Sequence, residues 1–227
     1  YQDGVLILNE GGMAASTSSV DFLSDAGVMI NDIYRLENGS SNATGSLLQS
    51  MFFNATHAFI VSGLANQITV VDRYTFKYVT TISTDLSAPR YGTVVGNKAY
   101  VTNTADFSTG SDDFLTVIDL TNFNTSRVAM NDWSEKILSL NNNLYVMNGY
   151  YESGNSITVI NSADNSQVSK ISLTFSPNSL AESNNVLYVF GQGKFAKIDL
   201  TTNEIMGTVI DLGESFKESK NLAIENG

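Results

Sequence analysis

The sequence predicts an all-β fold, a β-propeller of four-stranded blades, and three observations carry that reading. A strand centred on an aromatic residue recurs as His57-Ala-Phe-Ile-Val-Ser62, Lys98-Ala-Tyr-Val-Thr-Asn103, Asn143-Leu-Tyr-Val-Met-Asn148 and Val186-Leu-Tyr-Val-Phe-Gly191. Its anchors Phe59, Tyr100, Tyr145 and Tyr188 stand 41, 45 and 43 residues apart, which is the period of a propeller blade. Each copy is followed by an apolar run that ends at an acid or amide, as in Ile68–Asp72, Leu115–Asp119, Ile157–Asn161 and Phe195–Asp199. A β-sandwich also alternates strands, but it has no reason to repeat at about 43 residues.

The elements follow in order. A divergent first copy, Gly4-Val-Leu-Ile-Leu-Asn-Glu10, leads to strands at Ser19–Leu23 and Val28–Tyr34. Four full sets of strands succeed it, opened by Ser50–Phe53, Gly92–Val95, Ile137–Leu140 and Ser179–Glu182. Their closing strands are Tyr78–Ser83, Arg127–Met130, Val168–Leu173 and Ile205–Ile210. The last segment, Asn221–Glu225, has the character of the opening strand that the first copy lacks. Pairing it with Gly4–Leu8 would close a five-bladed ring over residues 1–227, one domain with no open edge between blades. The two prolines, Pro89 and Pro177, fall at the same repeat position and read as loop punctuation.

Composition narrows the partners. The chain carries 12 Lys and Arg against 23 Asp and Glu, a net charge of −11, which repels phosphate backbones and excludes nucleic acid as an expected partner. No apolar run approaches the roughly 18 residues of a membrane span. With no cysteine, disulfides, thiolate nucleophiles and zinc–thiolate centres are all excluded. The chain opens at Tyr1-Gln2-Asp3 without a signal-peptide pattern, so export implies a targeting segment already removed. Richness in Asn, Ser and Thr leans towards an exported protein. Asn38, Asn42, Asn54 and Asn124 each open an Asn-x-Ser/Thr pattern, read as chance matches in so Asn-rich a chain.

Tyr100-Val101-Thr102-Asn103 spells the signature of the YVTN-type propellers, and Leu115–Asp119 resembles the strand that follows it in that family. The opening Gly4–Gly11 with Ser87-Ala-Pro-Arg-Tyr91 is similar to a branch found on the cell surface of Bacteroidetes bacteria. The resemblance implies an exported propeller at the cell surface or in the periplasm, lipoprotein-like and working beside an outer-membrane protein or nutrient importer. It implies seven blades, so the alternative to a five-bladed ring is part of a seven-bladed one.

The segments that join one repeat to the next, and the middle two strands of a repeat, are long, whereas the other turns are short. That asymmetry places a candidate ligand face on Asn9, Glu10, Arg90, Tyr91, Asn103, Asp106, Trp133, Asn148, Tyr150, Tyr151 and Gln192. Amides orient hydrogen bonds and rings supply stacking area, a combination suited to a polar small molecule or glycan. The same residue types also serve turn geometry. Asp106, Asp112 and Asp113 crowd one loop and offer the oxygen ligands that Ca2+ takes, although their spacing does not match an EF-hand. Otherwise no cofactor is expected. The single histidine, His57, lies in a short turn and leaves a Ser-His-Asp triad without a base. The leading reading is a non-catalytic binding propeller. A structural subunit of an outer-membrane complex comes next, and a carboxylate-dependent lyase or glycosidase third.

Overall fold

A computed structural model describes residues 1–14, 17–40 and 43–225. Asn42, Asn226 and Gly227 lie outside them. Among the described residues, five antiparallel sheets follow one another along the chain, each a meander. The first holds β1 (Gly4–Asn9), β2 (Ser19–Ser24) and β3 (Met29–Ile30), and the second β4 (Leu48–Phe53), β5 (His57–Ser62), β6 (Gln67–Asp72) and β7 (Tyr78–Ile82). The third comprises β8 (Pro89–Val95), β9 (Lys98–Asn103), β10 (Phe114–Asp119) and β11 (Thr125–Ala129). The fourth comprises β12 (Ile137–Leu140), β13 (Asn143–Tyr150), β14 (Ser153–Asn161) and β15 (Gln167–Ser172). The fifth is β16 (Ser179–Ser183), β17 (Val186–Gly191), β18 (Lys194–Asp199) and β19 (Glu204–Ile205), with β20 (Ile210–Asp211) also on β18.

The residues group into two compact units, Tyr1–Asp106 with Leu115–Arg127 and Phe107–Phe114 with Val128–Gly227. In the first unit, successive residues of one strand serve two different cores, as the period of two requires. Ala58 and Ile60 of β5 pack with Val20, Phe22, Ile33 and Phe76, whereas Phe59 and Val61 pack with Phe52, Ile82, Val101 and Ile118. A strand buried on both faces reads as a continuous apolar run, and His57–Ser62 does. In the second unit, Tyr145, Met147, Ile157 and Val159 of the fourth sheet share a core with Leu187, Val189 and Ile198 of the fifth.

Turn chemistry explains the abundance of Asn. Asn141-Asn142 and Asn184-Asn185 are two-residue hairpin turns with positive φ at both positions, the geometry that matches strand twist and that Asn tolerates. A second turn recurs after the third strand of each full sheet. Asp72, Asp119, Asn161 and Asp199 each accept a hydrogen bond from the N–H two residues on, at 3.1, 2.8, 2.9 and 2.7 Å. Four residues beyond each acceptor, Phe76, Phe123, Asn165 and Asn203 take positive φ and return an N–H to its carbonyl. The Thr75 N–H and hydroxyl at Asp72, the Thr121 hydroxyl and N–H at Asp119 and the Thr201 N–H at Asp199 hold these three carboxyls below their ordinary pKa.

Three expected strands differ. The one expected at Val28–Tyr34 ends after Ile30 and gives way to α1 (Ile33–Asn38), whose Asp32 cap accepts from the Arg35 N–H. Ile33 and Tyr34 are both buried in the same core, which a strand would prevent by placing neighbours on opposite faces. The strand at Ile205–Ile210 is interrupted around Gly207, which has a φ of 70°. The closing strand expected at Asn221–Glu225 is not formed among the described residues: 221–225 are irregular, and the sheet of β1 keeps three strands. Its few apolar side chains follow the exposed Glu214–Glu218 stretch, and Leu222 N–H donates instead to Ser179 Oγ at 2.9 Å.

Candidate functional site

Three amides of the expected ligand face are structural brackets. Asn9 Nδ2 donates to Ser19 Oγ and Asp21 Oδ2, each at 2.9 Å, fastening β1 to β2. Asn103 is fully buried; its Oδ1 accepts from the Ser87 N–H at 2.9 Å, and its Nδ2 donates to Val101 O and Thr116 Oγ1. Asn148, also fully buried, donates to Trp133 O at 2.6 Å and accepts from Thr158 Oγ1 at 2.6 Å and Ser156 Oγ at 3.2 Å. Each amide ends the second strand position of its repeat and ties it to the next strand; Asn103 and Asn148 also hold the loop entering the sheet. A buried amide must satisfy both ends, and Asn103 and Asn148 do so within the protein.

The other expected residues divide between the two units. In the first, Glu10 is exposed and accepts through its carbonyl from Leu48 N–H and Ser18 Oγ. Arg90 Nη1 donates to Gln49 Oε1 at 2.6 Å, and Gln49 Nε2 donates to the Tyr91 hydroxyl at 3.2 Å. Asp106 is exposed. In the second, Gln192 sits with Gly193 in a two-residue turn with positive φ at both positions, and its Oε1 accepts from Ser176 N–H at 3.0 Å.

Trp133, Tyr150 and Tyr151 do come together. Trp133 stacks on Tyr150 with centroids 5.3 Å apart and planes 16° apart, and Tyr151 meets Tyr150 edge-on at 4.6 Å. Phe107 joins the cluster at 5.8 Å from Tyr150, with the two rings tilted by 37°. Tyr151 is 80% exposed and Phe107 52%. Tyr151 and Glu152 form the turn between β13 and β14, and Tyr151 holds a φ of 52°, unfavourable for a bulky residue.

The loop Phe107–Phe114 reaches this cluster because Gly110 permits it: a Cβ there would fall 2.4 Å from the Trp133 backbone nitrogen. Asp113 anchors the same loop. Its backbone carbonyl accepts from Met130 N–H, and its Oδ2 accepts from Ser134 N–H at 2.7 Å. The side chain is buried, and Oδ1 has no hydrogen-bond partner. Burial raises its pKa to about 7; the Ser134 N–H opposes the shift, and Asp112, Glu135 and Asp132 add to it. Asp132 is paired with Lys170 at 2.6 Å, while burial lowers the pKa of Lys136.

The cation site expected at Asp106, Asp112 and Asp113 is not assembled. Asp106 and Asp112 are exposed while Asp113 is turned inward, and among the described residues no three His, Cys, Asp or Glu side chains converge as metal ligands. Asp112 lies in the turn before β10 and faces solvent, while Asp113, at the end of that turn, is buried and bonded to the Ser134 N–H. Phe107 stands outside the expected ligand face, in a loop whose sequence is dominated by acidic and hydroxyl residues. An apolar ring inside so polar a loop was the available signal. No helix of the described residues is long and apolar enough to cross a membrane.

Successive four-stranded meanders of this kind are propeller blades, and comparison with solved structures bears that out. The chain is similar to the Neurospora crassa Pan2 WD40 domain, with a TM-score of 0.66 and 9% identity over 91% of this chain and 62% of that one. It is also similar to a computationally designed protein, Ika8, with a TM-score of 0.71 and 12% identity over 100% of this chain and 64% of that one. A chain of the nidogen/laminin complex matches with a TM-score of 0.61 and 14% identity, over 84% of this chain and 71% of that one. At such identities these likenesses show the β-propeller fold alone. The chain spans less than two thirds of the length of the Pan2 domain and of Ika8. The family described as Domain of unknown function (DUF5074) matches residues 3–223, and the chain belongs to it. No curated protein matches.

Proposed function

We propose that this is a non-catalytic binding propeller, exported to the cell surface or periplasm, that captures a polar ligand with a flat apolar face, such as a glycan, on the platform of Trp133, Tyr150, Tyr151 and Phe107. The exposed aromatic cluster carries this reading. Sugar rings present C–H faces that stack on Trp and Tyr, and an already ordered ring loses little entropy on contact. Asn148 and Asp113 hold the loops beneath the rings, so the platform is built before the ligand arrives. The resemblance of Tyr100–Asn103 to YVTN-type surface propellers supports the location and an outer-membrane protein or nutrient importer as neighbour.

Tyr151 offers the cleanest test, because its side chain is largely free of the core. In titration calorimetry against a panel of neutral oligosaccharides, Tyr151→Ala is expected to weaken the best ligand about tenfold, roughly 1.4 kcal/mol, with an unchanged melting temperature. Equal affinity of Tyr151→Ala and a Phe107→Ala/Tyr151→Ala double variant to the wild type would remove the platform from the binding site.

A further inference from the structure

The first compact unit contains a cleft that the aromatic platform does not use. It has a volume of about 790 Å³ and lies beside β1, with Leu6, Leu8, Phe22, Met51 and Phe53 along its apolar lining and Arg73 among its polar groups. That volume falls in the range of small-molecule sites, which are mostly apolar with a few placed polar groups. The walls are fixed by the core behind them: Phe22 is buried there, and Leu6, Leu8, Met51 and Phe53 pack against it. Tyr1 meets Phe22 edge-on at 5.3 Å, and its hydroxyl donates to Glu37.

Arg73 is held in place with its charge unanswered. Its backbone N–H donates to Thr56 O and its Nη1 to Asn54 O at 2.8 Å. The guanidinium lies over the Phe53 ring at 5.4 Å and the Tyr74 ring at 5.6 Å. Arg35 and Arg127 each have a carboxylate partner, but among the described residues Arg73 has no carboxylate within ion-pair distance. Asp3, the acidic residue on the lining, is exposed. A guanidinium presented over aromatic faces, with donors to spare, is suited to a carboxylate, sulfonate or phosphate group. The net charge of −11 opposes anions at a distance, but it is screened beyond about 8 Å at physiological ionic strength, so the nearby half-buried cation governs the cleft.

We propose that this cleft binds a small apolar organic anion, with its hydrocarbon or aromatic body on Leu6, Phe22, Met51 and Phe53 and its acid group on Arg73. A matched pair of probes tests it: 1-anilinonaphthalene-8-sulfonate, an apolar anion, and N-phenyl-1-naphthylamine, the same body without the charge. The folded protein is expected to bind the sulfonate saturably at one site, about tenfold more tightly than the neutral probe. Arg73→Gln should erase that preference while leaving the neutral probe within about twofold, and Arg73→Lys should retain part of it. Met51→Trp, which fills the cleft, should weaken both probes, whereas Tyr151→Ala should leave both titrations unchanged and so separates this site from the glycan reading. Equal sulfonate binding by wild type and Arg73→Gln overturns the proposal, as does an absence of saturable binding. Sulfonate binding untouched by a folded Met51→Trp variant does the same.

Discussion

Gly149→Ala is expected to lower stability by about 3 kcal/mol, while Gly63→Ala costs less than about 1 kcal/mol. The two glycines occupy equivalent places, each one residue past the end of the aromatic-centred repeat segment and each facing the proline that precedes the next sheet. A Cβ on Gly149 would fall 2.2 Å from Pro177 O and 2.9 and 3.0 Å from two atoms of the Pro177 ring. On Gly63 the nearest atom, Pro89 O, would be 3.4 Å away, an ordinary contact. Neither glycine has a positive φ, so the difference isolates close approach from backbone preference. Gly191, from the neighbouring sheet, meets the same segment, with its Cβ position 2.1 Å from Ser176 O. The Ser176-Pro177 backbone is therefore confined on two sides and cannot withdraw. Urea denaturation of the two variants checks this, and equal midpoints would refute it.

The second large effect concerns Asp113 and pH. Its pKa is raised to about 7, against about 3.9 for an unfolded aspartate. Between those values the native state keeps a proton that the unfolded chain releases. The stabilisation linked to that proton is therefore complete below about pH 4, falls as pH rises and is gone above about pH 7. At about 1.36 kcal/mol per unit, the wild type should lose on the order of 2 kcal/mol between pH 5 and 8 through this group. Asp113→Asn keeps the shape without the buried charge, so it should flatten that part of the profile and exceed the wild type at pH 8. Denaturation of both proteins at pH 5 and 8 measures it, and comparison with the variant removes every other titrating group. Parallel profiles would show that Asp113 ionises freely in the native state.

Periodicity made most of the fold legible, because strands buried on both faces must be continuously apolar and recur with the blade. Helix α1 was not legible from Val28–Tyr34, where β-branched and aromatic residues favour a strand locally; the common core beneath Ile33 and Tyr34 decides otherwise. Trp133, Tyr150 and Tyr151 could be picked out as large rings in loops that have no need of them. Asn103 and Asn148 could not be separated from solvent-facing amides. An Asn at a strand end reads the same whether it meets water or the next strand, and only the third dimension supplies Thr116 or Trp133 O as its partner. Asp112 and Asp113 show the same blindness at adjacent positions, one exposed and one buried.

The turns built on Asp72, Asp119, Asn161 and Asp199 bear on how little information such a fold requires. Each needs one oxygen acceptor at the strand end and one residue four positions later that tolerates positive φ, and that second place is filled by Phe twice and by Asn twice. The three positions between them differ in sequence from one turn to the next. Much of the blade's shape is thus encoded in a sparse set of sites, with alternating burial constraining the rest only to be apolar. A chain so encoded can be rewritten almost completely and keep its form, and a likeness at 12% identity to a protein designed by computation is what that tolerance looks like.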